Sequence, residues 1–275
     1  MTRVAVVYLD RFANPPGYAR CFLRSLQWFA PGHPYDLIIQ HKGYPADCHA
    51  PRLRHGVDGI NTKHLYYSED WYQFGMARDT AQRLDHDYVL FFISWSRVLA
   101  TGWLRIFLDA FAADEACGLV GVTGSLEGTG PETPFPNPHI RTNAFMLRRD
   151  LFLSLDFGDT TTHHSGYAFE AGPNSLTRQV MARGLVPMVV GRDGCHWAPD
   201  GWQTSHTFRS GHQENLLVAD NRTQDFAVAP PKRRQKLVQL AWGTTTGLVA
   251  AGLLRRRLAD LKWRGPIAIG NRLWR

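Results

Sequence analysis

The chain lacks most of the features that would place it at once. Its four cysteines, Cys21, Cys48, Cys117 and Cys195, are scattered over 275 residues and form no CxxC pair. Neither a zinc site nor a disulfide framework is indicated, and free thiols suit a reducing cytosol. The N-terminus "MTRVAVVYLD" has no charged stretch followed by a long apolar one. No signal peptide is therefore expected. There is no internal repeat and no recognisable nucleic-acid-binding module, so nucleic acid is not an expected partner. A strongly apolar span is missing too. "LVQLAWGTTTGLVAAGLL", residues 237–254, carries no charge over eighteen residues. That reaches the lower bound for a membrane helix. But Gln239, the threonines and the glycines dilute it below what insertion favours.

What is present is core material. The sequence is 44% hydrophobic and 12% aromatic, enough to bury a sizeable interior and too apolar for bulk disorder. Charge is unevenly spread. From Pro231 onward there are eleven Lys/Arg and one acid, a balance of +10. The other 230 residues hold 20 basic and 23 acidic side chains, a balance of −3. The shift at "FAVAPPKRRQK" divides the chain into a near-neutral body, 1–228, and a basic C-terminal segment, 229–275. Such a segment points to an anionic surface. An interfacial helix on an anionic membrane fits its flanking cations; the plainer alternative is a helix pair docked on the body.

Along the body, strand-like and helix-like stretches alternate. "VAVVYLD", "YDLIIQH", "TKHLYY", "YVLFFI" and "CGLVGVTG" read as strands. "YARCFLRSLQWFA" and "TGWLRIFLDAFAADE" carry apolar residues at helical spacing. "SEDWYQFGMARDTAQRLDHD" reads as a helix opened by Ser68 with acids in its first turn. The stretch Lys42–Gly59 and "EGTGPETPFPNPHI" read as loops, and "YAFEAGPNSLTRQVMARGL" as a helix interrupted near "AGPN". Alternation of this kind predicts an α/β fold with a mainly parallel sheet flanked by helices. Ligands then belong beyond the carboxyl ends of the strands. Those ends are Tyr8 to Arg11, Gln40 to Lys42, and Ser94 to Arg97.

"YQFGMARDTAQRLDHDYVLFFISWSRVLATGWL" resembles the core of inverting, family-2-like glycosyltransferases of the GT-A fold. Gly75, Ala77, Arg78 and Asp79 match its leading helix. The later runs "YAFEAGPNSLTRQVMARGLVPMVVGRDG" and "SHTFRSGHQENLLVADNRT" resemble the C-terminal part of a bacterial subgroup. The likeness spans roughly residues 1–225. It implies a GT-A-like sheet, a nucleotide-sugar donor (UDP- or another NDP-sugar), and a glycan or lipid-linked acceptor. It also implies a role in polysaccharide biosynthesis, in the cytoplasm and peripherally at the inner face of the plasma membrane.

The pattern departs from the family at one place. Where its D-x-D motif holds a metal, this chain has Ser94-Trp95-Ser96. Divalent ions prefer carboxylates, so no cofactor is required and a divalent metal is not expected. Arg97 and Arg78 are the candidates to meet the diphosphate charge. The plainer reading is a satisfied turn followed by a solvated cation. By resemblance, Tyr8, Asp10, Arg11, Lys42, Asp79 and Trp95 complete the donor set. The family's acid after the second strand is missing from "QHKG".

An inverting transferase needs a carboxylate base; in the resembling enzymes an acid at the start of a helix fills that role, and the resemblance makes Glu170 in "YAFEAG" the candidate, ahead of Asp156 and Asp159. A surface carboxylate is the alternative. His196 is a candidate for acceptor binding through a phosphate or sugar hydrogen bond, and the cluster Trp197, Trp202 and Phe208 as an acceptor platform, because sugars stack on aromatic rings; packing under a loop is the alternative. His163 and His164 read as exposed imidazoles. Three functions stand: a metal-independent inverting glycosyltransferase, a non-catalytic GT-A-like nucleotide or glycan binder, and a basic adaptor acting through its tail. The tail reading predicts that the full chain sediments with anionic vesicles while a chain ending near Pro230 does not; equal sedimentation would defeat it.

Overall fold

The computed structural model describes residues 2–45, 59–160 and 162–243. Cys48, most of the first expected loop, and the tail from residue 244 onward lie outside the described residues. So do the side chains of His163 and His164.

Strand β1 (Val4–Arg11) is buried along most of its length. Its β-branched and aromatic residues need cover on both faces, as in the interior of a parallel sheet. Helix α1 (Gly17–Trp28) follows, then β2 (Asp36–Lys42), β3 (Thr62–Tyr67), α2 (Gln73–Gln82) and β4 (Tyr88–Phe92). Next come β5 (Arg97–Val98), α3 (Trp103–Ala113), β6 (Cys117–Gly121), β7 (Gly124–Ser125) and β8 (His139–Ile140). Then come β9 (Ala144–Arg148), α4 (Arg149–Leu153), α5 (His163–Ala171), α6 (Leu176–Ala182) and β10 (Val186–Val190). The last elements are β11 (His196–Trp197), a 3-10 turn at Trp202–Ser205, β12 (Val218–Ala219), α7 (Asn221–Val228) and α8 (Pro231–Trp242).

Eight strands form the central sheet in the order β11-β10-β6-β9-β4-β1-β2-β3. β3, β2, β1 and β4 run parallel; β9 runs against β4 and β6, and β11 runs against β10. The expected α/β architecture is therefore present. On one face Tyr8, Phe22, Leu26, Phe92, Trp103 and Phe107 pack together. Tyr8 and Phe22 stack with centroids 3.9 Å apart. On the other face Phe74, Phe91, Phe145, Phe152, Phe169 and Trp202 share a second core.

Two boundaries differ from the sequence pattern. Helix α2 starts at Gln73 with Tyr72 in the capping position, not at Ser68. Residues 68–71 close a turn first, with Trp71 N–H donating to Ser68 O. The apolar face that α2 buries begins only at Phe74. The break near "AGPN" is where it was expected, with the Ser175 side chain capping α6. The second difference is α8. It lies past the compositional boundary at 228/229, yet its last turn is buried in the body through Ala241 and Trp242. A chain ending at Gly243 is thus a cleaner control for the basic tail than one ending near Pro230. Among the described residues no helix is long and apolar enough to cross a membrane.

Two features place the site. The chain runs from β1 outward to β2 and β3, then returns to lay β4 on the other side of β1. A crevice opens at such a switch point, beyond the carboxyl ends. The short ladder β5–β12 then ties the segment after β4 to the entry of α7, with Arg97 opposite Ala219. There Asp220 caps α7, its carboxylate accepting Thr223 N–H at 2.7 Å. The same fully buried carboxylate lies 3.3 Å from the Arg141 guanidinium. Asp220→Ala removes a cap worth about 1 kcal/mol and strands a buried cation, for a loss of about 3–5 kcal/mol. Asp220→Asn keeps the cap and should fall between Ala and wild type in urea unfolding. An Asn variant as stable as wild type would show that the charge is not needed.

Candidate active site

The serine turn leaves β4 at the switch point. Ser96 N–H closes it on Ile93 O at 3.0 Å. From below, the buried Tyr8 hydroxyl donates to Ser94 O at 3.0 Å. From the side, Ser96 Oγ donates to Asn143 O at 2.5 Å, and Thr123 Oγ1 donates to Asn143 Oδ1 at 2.5 Å. Trp95 is half-buried against Tyr18, with ring centroids 4.1 Å apart. These residues do not fit the metal of a D-x-D site. Both serine side chains are buried, and the Ser96 hydroxyl is committed to a backbone carbonyl. Neutral hydroxyls are weak ligands for hard divalent cations. Among the described residues no group of three His, Cys, Asp or Glu side chains is placed to hold a metal.

One wall of the crevice is built from the ends of β1, β2 and β3. Asp10 is buried, and its carboxylate accepts the Tyr44 hydroxyl and His41 Nδ1–H, the latter at 3.1 Å. His41 Nε2 lies 2.8 Å from His64 Nδ1. With His41 donating to Asp10, its Nε2 accepts, so His64 carries its proton on Nδ1. Burial, with His41 adding to it, pushes the His64 imidazole below its ordinary pKa. Lys42 is also buried and pushed down, lying 3.7 Å from Glu69 and over the Tyr72 ring. Arg11 Nε donates to the same Glu69 at 3.1 Å. Glu69, just after β3, is thus the carboxylate that faces both cations. Gly43 makes room for it: φ is +70°, and a Cβ there would collide with the Glu69 carboxylate.

Arg97 follows the serine turn directly, and Arg141 directly precedes Thr142 and Asn143. Burial pushes the Arg97 pKa down, with Cys21 and Asp220 pulling the other way. Arg141 and Arg209 stand over the Phe208 ring, 4.3 Å and 4.8 Å from its centroid. Arg209 pairs with Glu127 at 2.9 Å, and burial lowers its pKa as well. The loop that holds it is strained. His206, Arg209 and Gln213 all adopt positive φ, at 55°, 46° and 53°. Non-glycine residues avoid this region, and such outliers cluster at functional sites. Gln213 holds the loop by accepting Arg209 N–H at 3.1 Å and donating to Thr223 O at 2.8 Å.

Glu170 reaches the same edge of the sheet. It sits near the end of α5, not at a helix start as expected. It accepts the Thr142 hydroxyl, and Thr142 adjoins Asn143, which binds Ser96. A carboxylate and the serine turn are therefore joined through two consecutive residues. His139, buried nearby, is pushed down by desolvation while Glu170 opposes the shift.

With that geometry in view, the comparisons add little. No protein-family model matches the chain, and no curated protein does. Among solved structures, a CMP:2-keto-3-deoxy-manno-octonic acid synthetase complexed with CTP aligns over 68% of this chain and 88% of its own, at 12% identity and TM-score 0.41. Mouse xyloside xylosyltransferase 1 aligns over 62% of this chain and 72% of its own, at 10% identity and TM-score 0.38. Likenesses this distant say nothing about activity.

The remaining candidates are used elsewhere. Arg78 is exposed and stands over the Phe157 ring at 5.3 Å. Asp79 accepts the Tyr67 hydroxyl at 2.7 Å and pairs with Arg83 at 2.8 Å. Asp156 accepts from Gly158 in its own loop and from Asn174 between α5 and α6, and Asp159 is exposed. His196 is exposed on β11, the sheet edge, with three strands between it and β4. Trp202 is fully buried and bonds to Trp197 O at 3.0 Å, so its ring has no face open to a sugar. A shallow hollow of about 510 Å³ lies at the opposite end of the sheet, lined by Glu115, Arg148 and Asp150.

Residues that spacing did not single out are Glu69, Arg141, Arg209 and His139. The one visible signal was "HTFRSGHQ", a polar loop with an embedded arginine. The depressed histidines set a pH dependence. Above about 6.5, the ordinary histidine value, His64 and His139 are neutral in both states and cost nothing. Below it the unfolded chain takes up protons that the folded chain resists, so stability falls. Urea midpoints should drop from pH 7.5 to 5.5, and His139→Asn should remove part of that slope. An unchanged slope would show that His139 binds protons equally in both states.

Proposed function

We propose that the chain is a nucleotide-sugar-utilising transferase that moves a sugar, with inversion and without metal, to a glycan or lipid-linked acceptor. One observation carries the reading. The carboxylate of Glu170 is tied to the serine turn through Thr142 and Asn143, with Arg97 following that turn directly and Arg141 directly preceding Thr142. In the proposed step the acceptor oxygen attacks the anomeric carbon. Its proton passes to Glu170, and the bond to the nucleoside diphosphate breaks with the electron pair leaving on phosphate. Arg97, Arg141 and Arg209 then meet the charge that a metal meets in D-x-D enzymes. Arg141 and Arg209 replace Arg78 in this role. The ends of β1 and β2, Asp10 to Lys42, face the nucleoside. The GT-A-like assignment, the role in polysaccharide assembly and the anionic-membrane contact belong to the same proposal.

A second reading has its own support. The Ser96 hydroxyl is spent on Asn143 O and the Ser94 carbonyl on the Tyr8 hydroxyl, so both residues serve the turn, as suits a protein that only binds nucleotides or glycans.

The test is hydrolysis of a panel of nucleotide sugars by the full chain, with chelator or with Mn²⁺. Slow hydrolysis that survives chelation is expected, and Glu170→Gln should lower turnover by about 10²-fold or more while the fold and donor binding persist. Activity seen only with Mn²⁺ would overturn metal independence. Turnover within a few-fold of wild type would remove Glu170 from the step. Thermal stabilisation without any hydrolysis would favour the binder.

A further inference from the structure

The last turn of α8 is bonded to the neighbours of an ion pair. Glu127 and Arg209 form that pair at 2.9 Å. Leu126 N–H donates to Ala241 O at 2.9 Å. Trp242 Nε1–H donates to Phe208 O at 3.0 Å. Each contact lies one residue before a member of the pair. Phe208 matters twice, because its ring also lies beneath Arg141 and Arg209. Arg209 holds a positive φ that an unsupported loop would relax. Ala241 and Trp242 are buried, so these bonds are made away from water, where losing one is costly.

We infer that Trp242 is a positioning residue. Through Phe208 it sets the two guanidinium groups in the arrangement that receives an anion. Anion binding at the crevice and docking of the C-terminal helix are therefore coupled, in both directions. This rests on the reading that Arg141 and Arg209 meet a diphosphate.

The experiment is calorimetric titration of the full chain with inorganic pyrophosphate, for wild type, Trp242→Phe, Arg209→Ala and the double variant. Trp242→Phe loses the N–H while keeping an aromatic ring, though not the whole of the indole's packing. It should weaken pyrophosphate by about three- to tenfold. In the Arg209→Ala background the same change should have little further effect, because both act on one contact. Wild-type affinity in Trp242→Phe, or full additivity in the double variant, overturns the inference and leaves the diphosphate reading standing. A wild type that does not bind pyrophosphate overturns both. A readout without variants is amide exchange: pyrophosphate should slow exchange in residues 239–243 together with 206–213. Protection confined to 206–213 would overturn the coupling.

Discussion

One buried carboxylate joins the fold to its candidate site. Asp220 caps α7, follows the strand that pairs with the segment after the serine turn, and faces Arg141. A carboxylate taken fully out of water is tolerated only when its oxygens are engaged. Here one oxygen takes a backbone N–H and the other a guanidinium. The helix start, the β5–β12 ladder and the Arg141 guanidinium are therefore held in register by one group.

The two sides of the candidate site are built differently. The β1–β3 wall is a closed network in which Asp10, His41, His64 and Tyr44 satisfy one another, with Glu69 bracing Arg11 and Lys42. It is suited to holding a fixed shape. On the other side only Arg209 sits in a strained loop; Arg141 and Arg209 share the Phe208 ring, and each also pairs with one carboxylate, Asp220 and Glu127 respectively.

Much of the fold was legible because the signals were local. "VAVVYLD" and "YVLFFI" could be little else than buried strands, and the strand-end rule led to Asp10, Lys42 and Ser94–Arg97. The failures were of two kinds. Trp202 resembled part of a platform because composition does not reveal burial; only the fold shows it packed against Gly124. Arg141, Arg209 and Glu69 were missed because their roles depend on non-local pairing. Arg209 meets Glu127 across 82 positions, and Arg11 meets Glu69 across 58. No period or motif encodes those distances.

The β5–β12 ladder has a consequence for how the molecule comes into being. Arg97 is paired with Ala219, so the turn at the end of β4 is completed by a strand made 122 residues later. Loop closure over that distance must be met before the pairing returns anything. On a ribosome, the central strands can pair long before Arg209 is made. The crevice is thus among the last parts to become native, and a nascent chain holds the scaffold of the site well before it has the charge to use it.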